Sequence, residues 1–227
     1  MKVLPNLFIL FNLGKQEHSL PPSWAVSSAT SLNLIATTKK NDAAAAAAVS
    51  SSVQRDEKIQ DLLSAVSQVG QVGSLATEEE RLKLEDLSKL AIPLSDSRPA
   101  QVPLLGEHKL LYSAAPGGSS GRLFGNAVGK VTQFFEEGEI FCNRVKFGPL
   151  QIALRAKREV KSDSVIKVSF LETTVSLFGK TVVQKEVGGG GSWKVKFIGK
   201  VTDENGKEKL IRIMETPSLF ILEQPLN

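Results

Sequence analysis

The sequence predicts a mainly β protein in which antiparallel strands follow two short amphipathic helices. Eight short segments alternate apolar and polar residues, and clusters of turn-forming residues separate them. Parallel pairing of consecutive strands would require a crossover helix after each strand, whereas antiparallel pairing needs only short turns. An antiparallel eight-stranded barrel or a sandwich is therefore favoured over a parallel sheet.

The eight strand patterns lie in the C-terminal part of the chain. They cover residues 108–114, 139–147, 150–158, 165–171, 181–187, 193–201, 209–215 and 219–224. Asn205-Gly206 predicts a tight hairpin, because both residues tolerate positive φ. Residues 188–192 read Gly-Gly-Gly-Gly-Ser and predict a flexible loop between two strands. Residues 122–135 are ambiguous, because their apolar residues fit helical spacing whereas two glycines weaken a helix.

Residues 54–92 predict a helical segment that packs on the strands. Thr77 precedes three glutamates, which is typical of a helix N-cap followed by an acidic first turn. The two apolar stripes consist of Ile59, Leu62, Leu63 and Val66 and of Leu82, Leu84, Leu87 and Leu90. Packing is favoured over adsorption to an anionic membrane, because the segment is acidic. Residues 93–103 contain three prolines and predict an extended linker.

Residues 1–53 predict a disordered transit peptide. They are rich in Ser, Thr and Ala, contain few acidic residues and end in an alanine-rich run of low complexity. A secretory signal is the competing interpretation, because Lys2 precedes an apolar patch. That interpretation is weaker, because no small-residue cleavage site follows Leu13 directly.

Composition limits the class of protein. With 227 residues and 41% hydrophobic content, the chain can form one domain with appendages. No apolar run reaches the roughly 18 residues that a membrane-spanning helix needs. The net charge is +4, and the basic excess lies in residues 108–227. This excess fits an anionic surface as partner, but an ordinary solvated strand face is favoured, because lysines alternating with apolar residues are typical of it.

The sequence does not assemble the residues of a common catalytic or metal site. Residues 117–121 match the G-x-S-x-G pattern of a hydrolase, but no histidine follows them to complete the order Ser, acid, His. One cysteine and two histidines are too few for a structural zinc site. Cys142 is predicted to be buried and inert. We therefore expect a protein that is not an enzyme and that has neither a catalytic metal nor a cofactor.

Two motifs bracket the strand segment at its opposite ends. The first lies in LLGEHKLLYSAAPGG and contains Leu104, Gly106, Leu110, Leu111, Tyr112 and Ser113. The second contains Ile211, Arg212 and Ile213, followed by Ser218, Leu219, Phe220, Ile221 and Leu222. In order and spacing these motifs resemble those of the plastid lipid-associated proteins, also called fibrillins, over residues 54–224. His108 stands where the motif of that family has tryptophan.

The resemblance implies both a fold and a function. Residues 104–227 are expected to form a lipocalin-like β-barrel in a protein of the chloroplast or another plastid. The implied function is binding or sequestration of apolar plastid molecules such as prenylquinones, carotenoids or acyl lipids. The alternative is a structural coat that adheres to plastoglobules or thylakoid membranes. In both cases the partner is an apolar lipid or isoprenoid, with peripheral contact to plastid membranes or lipid globules and none to nucleic acid.

Alternation along the strands identifies candidate inward-facing residues. Leu150, Ile152, Leu154 and Ala156 share one face of their strand, and Trp193, Val195, Phe197 and Val201 share one face of theirs. Arg212 lies on one face with Leu210 and Met214, so its charge must be paired, bind a ligand headgroup or stack on an aromatic ring. An arginine that closes the end of the barrel is the favoured interpretation. The interior is either a packed core or a cavity. The candidate lipid-binding residues are Tyr112, Ile152, Leu154, Trp193, Val195, Phe197, Arg212 and Phe220.

Overall fold

The computed structural model describes residues 37–124, 127–216 and 218–226, and it confirms a mainly β fold. Two α-helices, α1 (Thr37–Val69) and α2 (Glu78–Ala91), precede the strands. The strands are β1 (Gly106–Ser113), β2 (Arg122–Phe124), β3 (Ala127–Val128), β4 (Lys130–Phe135), β5 (Ile140–Phe147), β6 (Leu150–Val160), β7 (Val165–Leu177), β8 (Lys180–Glu186), β9 (Gly190–Thr202), β10 (Glu208–Glu215) and β11 (Leu219–Pro225).

Nine of the strands form one antiparallel sheet that closes on itself. The order is β6-β5-β4-β1-β11-β10-β9-β7-β8, and an additional pairing between β6 and β7 closes a ring of eight strands. Strand β8 pairs with β7 but lies outside that ring. Strands β2 and β3 form a separate small hairpin. The sheet therefore has an enclosed inner face and an outer face.

The ring contains eight strands, but they are not the eight that the sequence predicts. The ambiguous residues 122–135 are strand rather than helix, and β4 takes a central place between β1 and β5. The predicted strand at 181–187 is β8, which hangs outside the ring. Alternation was hidden in β4, because the inward-facing Gln133 is polar while the outward-facing Phe134 is apolar.

Helix α1 begins at Thr37, well before the predicted start of the helical segment at residue 54. It thus includes residues 37–53, which the sequence assigns to a disordered transit peptide; six consecutive alanines explain the extension, because alanine has the highest helix propensity. The Thr77 cap is confirmed, since its hydroxyl accepts from the Glu80 N–H and the Glu80 carboxylate accepts from the Thr77 N–H.

The helices share one core with the outer face of the sheet, with α1 in contact with β1 and β9 and α2 packed mainly against α1. The helix-side core consists of Ile59, Leu62, Ala65, Val66, Leu84, Ala91, Tyr112, Phe197, Val201, Ile211, Ile213 and Ile221. The predicted apolar stripe of α2 is only partly buried, since Leu82 and Leu90 remain exposed to solvent. The linker at 93–103 also lies against the sheet, because the Asp96 and Ala100 N–H groups donate to the carbonyls of Ile198 and Asp163.

A second core fills the ring. It consists of Ala100, Leu110, Ala115, Val131, Phe135, Phe141, Val145, Ala156, Ile166, Val168, Trp193, Val195, Met214, Phe220 and Leu222. Every ring strand contributes to this interior core. Burial of apolar surface on both sides of β1, β9, β10 and β11 makes this half of the ring the most firmly supported part of the sheet.

Two glycine positions fix the connections around β9. The Asn205-Gly206 hairpin is confirmed, with Gly206 at φ +73° between β9 and β10. The predicted flexible loop at 188–192 is only partly a loop, because β9 begins at Gly190. Gly190 already pairs with Ser169 of β7. A side chain at Gly190 would run into the Val168 carbonyl oxygen, so glycine is required there for the two strands to pair.

Candidate functional site

A row of aromatic rings crosses the interior of the ring. The His108 imidazole meets the Phe135 ring edge-on at 5.1 Å between centroids, Phe135 stacks on Phe141 at 5.3 Å, and Phe141 meets Trp193 at 5.7 Å. These four residues come from β1, β4, β5 and β9. Such edge and offset-stacked contacts are favourable beyond the apolar area that they bury. The row therefore connects the inward faces of these four strands by direct ring contacts.

A small cavity lies beside this row and is mostly apolar. Its volume is about 40 Å³, enough on the order of a few water molecules but not for an isoprenoid. Leu154, Trp193 and Phe220 are among its apolar lining residues. The polar residues of the lining are Ser119, Gln133, Asn143 and Thr216. The interior is therefore closer to a packed core than to an open ligand chamber.

Polar side chains form the floor below the cavity. Gln133 pairs across the strands with His108 on one side and Asn143 on the other. The Gln133 Oε1 accepts a hydrogen bond from Arg212 Nη2. Among the described residues, four buried polar atoms at this floor have no hydrogen-bond partner: both ring nitrogens of His108, the Arg212 Nε and the Asn143 Oδ1. Unpartnered buried polar atoms are rare in folded proteins, so this floor is the outstanding polar feature of the interior.

Burial controls the ionisation of the floor. Desolvation, together with the charges of Arg212 and Arg158, lowers the pKa of His108 from 6.5 to about 3, so the imidazole is neutral at neutral pH. Desolvation and the charge of Arg158 lower the pKa of Arg212 from 12.5 to about 9, which leaves the guanidinium charged at neutral pH. Arg212 is 1% exposed, so this is a fully buried cation.

Six of the eight candidate lipid-binding residues face the interior of the ring. Ile152 and Leu154 lie on the inward face of β6, and Trp193 and Val195 lie on that of β9. Phe220 belongs to the interior core. Arg212 is buried on the same face of β10 as Leu210 and Met214, as predicted. Leu154, Trp193 and Phe220 line the cavity itself.

The other two candidates, Tyr112 and Phe197, face away from the interior. Both belong to the helix-side core, so the prediction that Phe197 points inward is wrong. A β-bulge in each strand explains the change of face. Leu111 is an extra residue in β1 relative to β11, and Lys196 is an extra residue in β9 relative to β10. Because side chains alternate with a period of two, one extra residue moves every following side chain to the opposite face.

Three interior residues that the sequence analysis did not select complete the floor: Gln133, Asn143 and Arg158. Arg158 is half-buried, and its guanidinium carbon lies 5.7 Å from the Phe135 centroid. Extending the alternation of Ile152, Leu154 and Ala156 by one step would have placed Arg158 on the inward face. Gln133 gave no such signal, because its strand was not recognisable from periodicity.

The described residues that could carry nucleophilic or metal-binding chemistry are Cys142, Ser120 and the His, Asp and Glu side chains. Burial raises the pKa of the Cys142 thiol, which keeps it protonated and unreactive. The Ser120 hydroxyl is buried and donates to the Gly117 carbonyl, as expected for a turn. Within the described ranges, no group of three or more His, Cys, Asp or Glu side chains is placed to hold a metal ion. None of the helices described is long and apolar enough to cross a membrane.

An apolar tip lies on the outer surface, where the end of the β7–β8 hairpin meets the end of β5. We define this hairpin tip as Phe147, Leu177, Phe178, Val182 and Val183, all of which are exposed. Phe178 is 79% exposed and sits in the turn at φ +50°, where its N–H donates to the Pro149 carbonyl of the β5–β6 turn. Lys146 and Lys180 flank the tip, and residues 144–151 and 176–183 contain no acidic residue.

Comparisons with known proteins do not identify this chain. No protein-family model, no curated protein and no solved structure is significantly similar to it. The resemblance to the plastid lipid-associated proteins rests on the two motifs alone.

Proposed function

We propose that this chain is a plastid lipid-associated protein that binds an apolar ligand inside a lipocalin-like β-barrel and catalyses no reaction. The observation that carries the proposal is the closed ring of eight antiparallel strands around an apolar cavity lined by Trp193 and Phe220. An eight-stranded closed sheet is the size at which the interior is filled by side chains or holds one small ligand. Prenylquinones, carotenoids and acyl lipids are the ligand classes that the motif resemblance implies.

The size of the cavity sets a condition on this mechanism. Pockets for drug-sized ligands usually have volumes of roughly 300–1,000 Å³, far more than is present. Binding therefore requires interior side chains to move, and the half-buried Phe170 at the cavity is the candidate for such a movement. Each Å² of apolar ligand surface removed from water contributes about 25 cal/mol, which drives binding without covalent chemistry.

Trp193 fluorescence tests this proposal directly. In the full chain carrying Trp24→Phe, Trp193 is the sole tryptophan, because the sequence contains two. We expect a short-chain prenylquinone to quench it saturably. Val145→Phe should abolish the quenching, because Val145 is buried and lines the cavity, whereas the control Val183→Phe lies on exposed β8 and should not. Fluorescence that stays unchanged with quinones, carotenoids and fatty acids, in a folded protein, would exclude an interior ligand site.

A structural coat on lipid globules or thylakoid surfaces is the second candidate, and the hairpin tip favours it. Exposed apolar side chains beside lysines are the pattern of a protein surface that inserts into the interface of an anionic membrane. We expect sedimentation with vesicles of anionic lipids that weakens as salt rises. Phe178→Asp should reduce this binding, whereas the control Val160→Asp, at the opposite end of β6, should not. Equal binding of both variants would rule out the tip as the contact.

A further inference from the structure

Two guanidinium groups share one aromatic ring at the floor of the cavity. The Arg212 guanidinium carbon lies 4.9 Å from the Phe135 centroid and that of Arg158 lies 5.7 Å from it, while His108 meets the same ring edge-on. Cation–π contact stabilises each arginine, but it does not neutralise either charge. The floor therefore carries two positive charges within a largely buried cluster.

The cluster has no matching negative charge among the described residues. No described carboxylate lies within ion-pair distance of Arg212, whose polar partner is the neutral Gln133. The acidic residue that acts on Arg158 is Glu139, and its carboxylate pairs at 3.0 Å with the solvent-exposed Lys157. Buried charges in folded proteins are normally paired, because an isolated ion in a low-dielectric interior is costly. An anion bound at this cluster would supply the negative charge that the described residues do not.

Free hydrogen-bond donors point to the same conclusion. The Arg212 Nε–H is buried and has no acceptor, and neither ring nitrogen of His108 has a partner. A neutral imidazole carries one N–H, so the cluster offers donors from both His108 and Arg212. A purely structural role in the core does not explain His108 and Arg212, because buried donors in a protein core normally have acceptors.

The cluster is connected to the cavity through its neighbours. Gln133, which accepts from Arg212, lines the cavity floor. Met214, two residues beyond Arg212 on the inward face of β10, also lines it. So does Leu222, the cross-strand partner of Arg212. A ligand that fills the cavity therefore ends one side chain away from the guanidinium.

We propose that Arg212 and His108 bind the carboxylate of an acyl ligand whose hydrocarbon tail enters the interior at the cavity, displaces side chains there and points toward Trp193. This inference rests on the proposed interior binding and specifies its ligand class. The planar guanidinium fork matches the geometry of a carboxylate, and a carboxylate neutralises one of the two buried charges. The apolar lining beside Trp193 and Phe220 suits a hydrocarbon chain.

Three probes separate the head from the tail. The full-length Trp24→Phe chain is titrated with three ligands, and Trp193 fluorescence reports binding. Oleate has both the hydrocarbon chain and the charge. Methyl oleate has the same hydrocarbon chain without the charge, and acetate has the charge without the hydrocarbon chain. We expect oleate to bind about ten- to a hundredfold more tightly than methyl oleate, the range for a hydrogen bond to a charged group. Saturable binding of acetate alone would assign the same carboxylate site to a small anion instead of a lipid.

Two variants and a matched control locate the head-binding residue. Arg212→Met should remove the preference for oleate without lowering the melting temperature, because replacing a buried unpaired charge by an apolar side chain is usually neutral or stabilising. Arg212→Lys should keep a reduced preference, because it keeps the charge and loses the fork. The control is Arg144→Met. Arg144 stacks on Phe134 at 4.8 Å outside the ring, so its loss should leave the preference unchanged.

The outcomes distinguish this inference from the proposed function. If oleate and methyl oleate bind equally and Arg212→Met changes neither affinity, the ligand has no headgroup at Arg212, although the interior site stands. If Arg212→Met weakens both lipids equally and lowers the melting temperature, Arg212 is a structural residue and the inference is wrong. If none of the three probes binds to the folded protein, both the headgroup site and the interior ligand fail.

Discussion

Phe197→Ala should lower the free energy of unfolding by about 3–5 kcal/mol, as expected for removing a fully buried phenylalanine. The Phe197 side chain has no exposed surface and lies in the core between the helices and the sheet. Its cross-strand partner Ile213 belongs to the same core, so the cavity left by alanine opens directly under α1. Chemical denaturation followed by circular dichroism measures the change.

The effect of Phe197→Ala on ligand quenching distinguishes the helix-side core from the interior core. Trp193 quenching by a bound ligand should survive Phe197→Ala at temperatures where the protein remains folded, because Phe197 does not reach the interior. Loss of quenching in a folded Phe197→Ala protein would show that this side chain faces the ligand and that the β-bulge at Lys196 is misplaced.

Acid should destabilise the protein through His108 more steeply than in a variant without this histidine. The imidazole has a pKa of about 3 in the folded protein and about 6.5 when unfolded, so the unfolded state binds an extra proton between these values. The contribution of His108 to stability is complete above pH 6.5 and is lost as the pH falls toward 3, by about 1.4 kcal/mol per pH unit. At pH 4.5 the loss should reach roughly 2–3 kcal/mol.

His108→Phe isolates this contribution. Phenylalanine retains an aromatic ring against Phe135 and cannot be protonated, and the two proteins do not differ in any other residue. Urea denaturation at pH 7 and pH 4.5 should show a smaller loss of stability in the variant. The charged groups that face His108 are Arg212 and Arg158, and both disfavour its protonation. Parallel pH dependences in the two proteins would mean that the imidazole reaches solvent when it takes up a proton.

The strand periodicity predicts most of the fold, because burial on one face imposes alternation on the sequence. Seven of the eight predicted strands are members of the ring, and the inward position of Arg212 follows from its spacing to Leu210 and Met214. Strand β4 could not be recognised, because its inward Gln133 breaks the apolar alternation. Gln133 can be buried because Arg212, on a strand far away in the sequence, donates a hydrogen bond to it. The local sequence around Gln133 contains no information about that partner.

The face of a residue beyond a bulge could not be predicted from the sequence. Leu111 and Lys196 are extra residues only with respect to partner strands, and local alternation contains no information about the register of a partner. Tyr112 and Phe197 therefore belong to the helix-side core although their spacing matches inward neighbours. The size of the cavity was equally inaccessible, because it depends on how side chains from all eight strands fill a common volume.

The position of β8 has a consequence for how the chain can vary. Closure of the ring depends on the pairing of β6 with β7 along their whole length, from Leu150 with Leu177 to Val160 with Ile166, and β8 adds nothing to that closure. The hairpin can therefore lengthen, shorten or change its surface while the closed sheet persists, since extra residues in an exposed connection cost little. Substitutions in this hairpin can therefore change the outward contacts of the domain without disturbing the interior core of the ring.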